Sequence, residues 1–215
     1  MADYEKCFQF AIKMVYGGLS LNGIRGQRSE VQAVDDVILG ILAEHAVKKF
    51  LMDHYGVDIG LDEDVHTDHI TPQDIVSVKK CNTNMRKPKI GVGVKASKIK
   101  SSYLVLGGNE VDFDDRRSDA YIFARVDLPS DHLFRILRDH SFFKTVKEYL
   151  DNDQKSRKID KLKNVPVWIC GLTYLEELEK VKEIPGQNFD GYRYVKSVAK
   201  MKNSDNDWLE FIENI

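Results

Sequence analysis

The stretch KIGVGVKASK, from Lys89 to Lys98, decides how the fold and the function of this chain are interpreted. Its apolar residues alternate with small or polar ones, as they do in a β-strand with one buried face. Lys95 shares the other face with two glycines and a serine. A lysine in such a strand indicates either a functional role or an exposed edge strand protected against aggregation.

The composition is that of an ordinary soluble protein. The 215 residues are 31% charged and 42% apolar, and the formal net charge is −2. The sequence has neither a long apolar run nor an apolar N-terminal leader, so we expect a cytoplasmic protein with no membrane partner. Three widely spaced cysteines predict neither a disulfide framework nor a zinc site.

Charges are segregated along the chain. Residues 53–74 contain seven acids and no lysine or arginine, whereas residues 75–109 contain eight basic residues and no acid. An acidic segment suits a divalent cation, and a basic segment suits a phosphate backbone. Chance variation among surface loops is the alternative explanation.

Periodicity predicts a mixed α/β fold with a central mixed β-sheet flanked by helices. The longest helix opens at Ser29 and closes at Gly56. Strands are predicted at 74–78, 90–96, 101–107, 119–127, 165–173 and 188–201, and further helices at 131–150, 174–182 and 206–215. We expect one domain over 1–215, with a core at 29–178, an N-terminal segment at 1–28 and a C-terminal extension at 179–215.

Three polar residues stand out from the apolar pattern: Glu44 in the long helix, Asp74 at the head of a strand, and Lys95. If the strands of Asp74 and Lys95 form a hairpin, the two side chains converge, and a helix packed on the sheet could bring Glu44 to them. Two carboxylates and a lysine around Mg²⁺ suit phosphodiester hydrolysis. The glycines beside Lys95 would let a phosphate approach the strand. Alternatively, Glu44 pairs with Lys48, and Asp74 caps a turn.

The segments GILAEHAVKKFL, PQDIVSV, GVGVKAS and SDAYIFARVD, in this order, resemble the PD-(D/E)XK nucleases of the restriction-endonuclease-like superfamily. The resemblance covers about residues 29–127. It implies a mixed sheet flanked by helices, a requirement for Mg²⁺ and cleavage of double-stranded DNA. At this length it is most similar to a type II restriction endonuclease acting as a homodimer.

The resemblance also implies a site. Asp74 matches the first acid and Lys95 the lysine, but Gly93 stands where the family has Asp or Glu. The second acid must come from elsewhere, and Glu44 is the first choice. The implied metal ligands are Asp74, Glu44 and the backbone carbonyl of Val94. The weaker substitutes for the missing acid are Glu110, Asp112 and Asp68.

Several basic and amide side chains are candidates for DNA contact. One group lies in a glycine-containing loop ahead of the long helix, where backbone amides and long side chains suit phosphates and base edges. The full set is Arg25, Gln27, Arg28, Lys98, Arg116 and Arg117. Three alternatives remain open: a repair or recombination nuclease, a non-catalytic DNA-binding module that keeps the fold, and an accidental match in which the basic segment serves a protein partner.

Overall fold

The computed structural model describes residues 2–16, 29–63, 73–80, 83–137, 162 and 164–215. Within these ranges the protein is a mixed α/β structure. The helices are α1 (Ala2–Tyr16), α2 (Glu30–Tyr55), α3 (Gly108–Val111), α4 (His132–Leu137) and α5 (Asp205–Asn214). The strands are β1 (Asp58–Leu61), β2 (Ile75–Lys79), β3 (Val92–Lys98), β4 (Tyr103–Gly107), β5 (Ala120–Val126), β6 (Val167–Tyr174), β7 (Glu179–Ile184) and β8 (Gln187–Ser197). None of the helices described is both long and apolar enough to span a membrane.

Helix α2 begins and ends where the sequence predicts. The Gln32 N–H donates to Ser29 Oγ, and the Ser29 N–H donates back to Gln32 Oε1, which satisfies two amides at the helix start. Gly56 ends the helix in the left-handed conformation, with φ of 64°. The helix is therefore fixed at both ends by local sequence.

The strands form three small sheets. In the central mixed sheet, β3 runs parallel to β5, and β5 runs antiparallel to β6. The register places Lys95 of β3 opposite Phe123 of β5. A second, antiparallel sheet has the order β4-β8-β7, and β1 pairs with β2 in a separate antiparallel ribbon.

The two faces of the central sheet are covered differently. Valines 92 and 94 of β3 pack in one core with Val47 of α2 and Trp208 of α5. On the opposite face, Phe123 of β5 packs against Leu106 of the second sheet. Helices flank one face, as predicted, but the other face is covered by the second sheet and α3. Segment 179–215, predicted as an extension, supplies β7, β8 and α5 to these layers.

The helix predicted at 174–182 is wrong. Only a short 3-10 turn, Leu175–Glu177, is helical, and the chain then enters β7. Pro185 and Gly186 form a two-residue turn, with φ of 82° at Gly186, and return the chain into β8. The helix-favouring residues of β7 are overridden because pairing with β8 satisfies their backbone groups.

Besides β7, three elements were not predicted: α1, α3 and β1. Helix α1 buries Tyr4, Cys7, Ala11 and Val15 at helical spacing, against the N-terminal half of α2. The Tyr4 hydroxyl is also hydrogen-bonded to His132 of α4. The predicted helix 131–150 is confirmed over α4, and its remainder lies outside the described residues. Cys7 and Cys170 are buried free thiols, and Cys81 lies outside the described residues.

Candidate active site

Asp74 lies at the free edge of β3. Its backbone N–H donates to the Val92 carbonyl at 3.1 Å, and its Oδ2 accepts the Val94 N–H at 2.5 Å. The predicted hairpin is wrong, because β2 pairs with β1, whereas β3 pairs with β5. Asp74 and Lys95 nevertheless come together, since Asp74 takes the place of a neighbouring strand beside β3.

The Val94 carbonyl belongs to the same edge. In a β-strand the N–H and C=O of one residue project to the same side, and residues two apart repeat that side. The Val94 N–H and the Val92 carbonyl both bond Asp74. The Val94 carbonyl therefore projects toward the edge that carries Asp74, where the sequence analysis placed a metal ligand.

Lys95 projects from β3 toward the one-turn helix α3. Its Nζ lies 2.7 Å from Glu110 Oε1, and both side chains are about 30% exposed (29% and 31%). Helix α3 directly follows β4, so the end of the second sheet brings this carboxylate over the central sheet. Sequence reasoning ranked Glu110 as a weak substitute for the missing acid, because nothing local revealed that β4 lies across from β3.

Glu44 approaches from α2. Its neighbours Ala43 and Val47 are fully buried against the central sheet, which places Glu44 at the margin of the packed face. Burial and then the negative charge of Asp74 raise its pKa to about 8, against the opposing effect of Lys95. Lys48, the alternative partner for Glu44, instead has its Nζ 3.7 Å from Asp58 Oδ1.

Burial and neighbouring charges also shift the pKa values of Asp74 and Lys95. Burial raises the pKa of Asp74, and the positive charge of Lys95 and the Val94 N–H only partly offset it. Burial lowers the pKa of Lys95, but Asp74 and Glu110 outweigh this effect and leave it above its ordinary value. Lys95 is therefore a cation at neutral pH. Three carboxyl groups, those of Asp74, Glu110 and Glu44, therefore gather around one cation.

Close packing explains why the β3 glycines lack side chains. A Cβ on Gly93 would lie 3.0 Å from Ser118 Oγ and 3.2 Å from Tyr121 Cδ1. A Cβ on Gly91 would lie 2.5 Å from Gln73 Nε2. The expectation that the glycines leave room for a phosphate is therefore wrong, because neighbouring side chains fill that space.

The predicted DNA-contact residues are partly located. Lys98 is exposed at the end of β3, and Arg116 and Arg117 are exposed in the segment that follows α3. Arg116 lies over the Phe113 ring, 5.9 Å from its centroid, and Arg117 pairs with Asp114 at 2.8 Å. The other three predicted residues, Arg25, Gln27 and Arg28, lie outside the described residues, as does Asp68.

Part of the basic segment has a structural role. Lys89 Nζ donates to the Glu213 carbonyl at 2.8 Å, and Arg86 donates to the Ile215 carbonyl. Both cations therefore satisfy carbonyls at the C-terminal end of α5, where the helix dipole also favours positive charge. These two residues stabilise the position of α5.

The oxygen donors at the β3 edge suit Mg²⁺, which binds proteins through one or two carboxylates and keeps several waters. Asp74, Glu44 and the Val94 carbonyl provide such a set. Across the described ranges, no cluster of three or more His, Cys, Asp or Glu side chains is arranged to hold a metal ion. A two-carboxylate site completed by a carbonyl and water is the arrangement that these residues fit.

Comparisons of the chain with protein-family models, with curated proteins and with solved structures found no significant match. The argument about function therefore starts from the residues at the β3 edge.

Proposed function

We propose that the protein is a Mg²⁺-dependent endonuclease of the restriction-endonuclease-like fold that cleaves double-stranded DNA. The observation that carries the proposal is the edge of β3, where Asp74 is bonded to the strand beside a charged Lys95 and Glu44 approaches from α2. An excess of carboxylates around one lysine suits a divalent cation and an anionic substrate. The order of these residues in the chain agrees with the PD-(D/E)XK resemblance.

Each residue has a distinct part in the proposed reaction. Asp74, Glu44 and the Val94 carbonyl would hold Mg²⁺, which supplies Lewis-acid polarisation of the phosphate. Lys95, already protonated, orients the attacking water and offsets phosphate charge rather than accepting a proton. Glu110, 2.7 Å from Lys95, is placed to receive the proton that the water loses. The water oxygen bonds to phosphorus as the bond between phosphorus and the 3′ oxygen breaks. A solvent water protonates the 3′ oxygen, and the products carry a 3′ hydroxyl and a 5′ phosphate.

A homodimer fits cleavage of both strands. A two-fold axis relates the strands of a short palindromic site, so each subunit of a symmetric dimer would cut one strand. We therefore propose a type II restriction enzyme, in which the two subunits cut the two strands of one palindromic site.

The test is digestion of long duplex DNA by the purified protein, with Mg²⁺ or with EDTA. Lys95→Ala is compared with Lys49→Ala, which removes an exposed lysine paired with Asp53 on α2. We expect discrete fragments from wild type and Lys49→Ala in Mg²⁺, and none from Lys95→Ala or in EDTA. Full cleavage by Lys95→Ala would refute the catalytic assignment.

A second candidate is a DNA-binding module without nuclease activity. The absence of a carboxylate at Gly93 favours it, because the packing of Ser118 and Tyr121 keeps that position small. Salt-sensitive binding of duplex DNA, without nicking in Mg²⁺ or Mn²⁺, is the result expected from such a module.

A further inference from the structure

The β7–β8 hairpin presents a cationic and aromatic surface. We call it the hairpin face and define it by Lys180, Lys182, Tyr192 and Tyr194. Lys180 pairs in register with Tyr194, and its Nζ lies 5.0 Å from the Tyr194 ring centroid and 5.6 Å from that of Tyr192. Lys182 Nζ lies 4.9 Å from the Tyr192 ring centroid. All four side chains therefore belong to one side of the hairpin.

The hairpin face is accessible, and its charges are held in place. Tyr192 is 51% exposed, and the Lys180 side chain is 48% exposed. Each lysine packs over a ring, an arrangement that attracts the ammonium group through the ring quadrupole. Two flexible side chains are thereby restricted to positions above the rings, which reduces the entropy that they would lose on binding an anion.

The lysines of β7 and Glu179 of the same strand project from opposite sides of the hairpin. Glu179 precedes Lys180 in the strand, so alternation directs it to the other side, where it pairs with Lys200 at 3.1 Å. The lysines of β7 therefore share a side with tyrosines rather than with this glutamate. With two lysines, two tyrosines and the Asp112 carboxylate, which lies 3.5 Å from Lys180 Nζ, this side keeps a net positive charge and is complementary to an anionic, sugar-containing backbone.

Helix α3 connects the hairpin face to the candidate active site. Glu110 of α3 pairs with Lys95, and Asp112, two residues later, accepts a hydrogen bond from the Tyr194 hydroxyl. Lys180 Nζ lies 3.5 Å from the same Asp112 carboxylate. The hairpin face thus begins at the helix that holds Glu110 over β3. A duplex whose scissile phosphate lay at Lys95 could continue along the hairpin.

We propose that the hairpin face binds the phosphate backbone of duplex DNA beside the cleaved phosphate. The proposal rests on the proposed function, because it takes DNA as the substrate of the Lys95 site. In it, Lys180 and Lys182 contact phosphates, and Tyr192 holds them in position and packs against the sugars. The surface positions the duplex and adds affinity for all sequences alike, since phosphate contacts carry no sequence information.

The test measures binding of a labelled duplex to the full chain by fluorescence anisotropy over a salt series, in Ca²⁺ to prevent cleavage. The variant is Lys180→Gln with Lys182→Gln. The matched control is Lys6→Gln with Lys13→Gln, an equal charge change on exposed positions of α1, which packs against α2. Equal thermal midpoints would show that both variants remain folded.

We expect the hairpin variant to lower the slope of log affinity against log salt by about 2, because each phosphate contact contributes about 0.9. Between about 50 and 200 mM salt, wild type should therefore lose about tenfold more affinity than the hairpin variant. The control variant should keep the wild-type slope. Tyr192→Ala should weaken binding, and Tyr192→Phe should not, because the ring rather than the hydroxyl packs against Lys182.

The outcomes separate this proposal from the nuclease activity. A hairpin variant with the slope and affinity of the control overturns the proposal, whether or not wild type cleaves DNA. Binding that depends on the hairpin, with no cleavage by wild type, supports the hairpin face and refutes the nuclease. A wild type that binds no duplex at low salt overturns both, and would point to a protein partner for the hairpin.

Discussion

Two lysine–carboxylate clusters in this protein differ in their charge balance. Around Glu177, Lys202 Nζ lies 3.1 Å from one carboxylate oxygen, and Lys196 Nζ lies 3.4 Å from the other. Around Lys95 the acids outnumber the lysine, because Glu110, Asp74 and Glu44 gather about one cation. In the first cluster two cations face one carboxylate, whereas in the second three carboxyl groups share one cation.

The pKa values follow this balance. Burial acts to raise the pKa of Glu177, but hydrogen bonds from Lys202 and Thr173 and the charge of Lys196 leave it below its ordinary value. Burial and Asp74 raise the pKa of Glu44 to about 8. A compensated cluster stabilises the fold by itself. A cluster with surplus carboxylates is costly without another cation, which is a common property of functional sites.

The largest effect is expected from removing the lysine of each cluster. Lys95→Ala should reduce DNA cleavage by about 10²- to 10³-fold, as loss of a preorganised charge at a reacting phosphate does. Lys196→Ala should leave the cleavage rate unchanged but lower the free energy of unfolding by about 1–3 kcal/mol, since it removes a partner of a partly buried carboxylate. Cleavage rates and urea denaturation of both variants check this.

The comparison fails if the two variants behave alike. Loss of cleavage in Lys196→Ala at wild-type stability would mean that the Glu177 cluster also belongs to the catalytic machinery. Lys196→Gln, which retains a hydrogen-bond donor, is the control for the loss of side-chain volume.

The pH dependence of stability should have opposite signs at the two glutamates. The pKa of Glu44 is higher in the folded than in the unfolded state, so the stability that its protonated form provides is complete below about pH 4.5 and is lost as pH rises to about 8. Wild type should lose about 2–4 kcal/mol between about pH 5 and pH 8 through this group. Glu44→Gln should remove that loss, as measured by urea denaturation.

Glu177 provides the control of opposite sign. Its lowered pKa means that its ionised form stabilises the protein above the unfolded-state pKa, and this stability disappears as pH falls. Glu177→Gln should therefore destabilise the protein at pH 8. Mg²⁺ should stabilise wild type at pH 8 and have little effect on Glu44→Gln, because binding to the folded state shifts unfolding by mass action. An equal effect of Mg²⁺ on both proteins would exclude Glu44 as a ligand.

Much of the fold could be predicted because its signals are local. The cap at Ser29, the stop at Gly56 and the alternation of β3 are encoded in neighbouring residues. Helix α2 lies where predicted, and β3 begins and ends two residues later than predicted. Helix α1 also has a local signal, the helical spacing of Tyr4, Cys7 and Val15. For β7, the turn Pro185–Gly186 and the helix propensity of the strand residues favour different structures, and pairing with β8 decides between them.

The arrangement of the site was less predictable because it depends on contacts between distant segments. Asp74 and Lys95 were paired through a supposed hairpin, whereas Asp74 reaches β3 by bonding Val92 and Val94 directly. Glu110 reaches Lys95 only because β4 and α3 cover the face of the central sheet opposite α2. The spacing of residues in the sequence does not predict which face of the central sheet the second sheet will cover.

The smallest effect concerns the glycine that lies two residues before Lys95. Gly93→Asp places an acid where the nuclease family has one, but its Cβ would press on Ser118 and Tyr121, so we expect a loss of about 1–3 kcal/mol in stability. Gly40→Ala in α2, where a Cβ meets no atom within 4 Å, should instead gain about 0.5–1 kcal/mol. Urea denaturation measures both changes. A Gly93→Asp protein as stable as wild type would mean that β3 has room for a carboxylate. Packing at Gly93 would then not be the reason why the carboxyl groups near Lys95 come from α2 and α3.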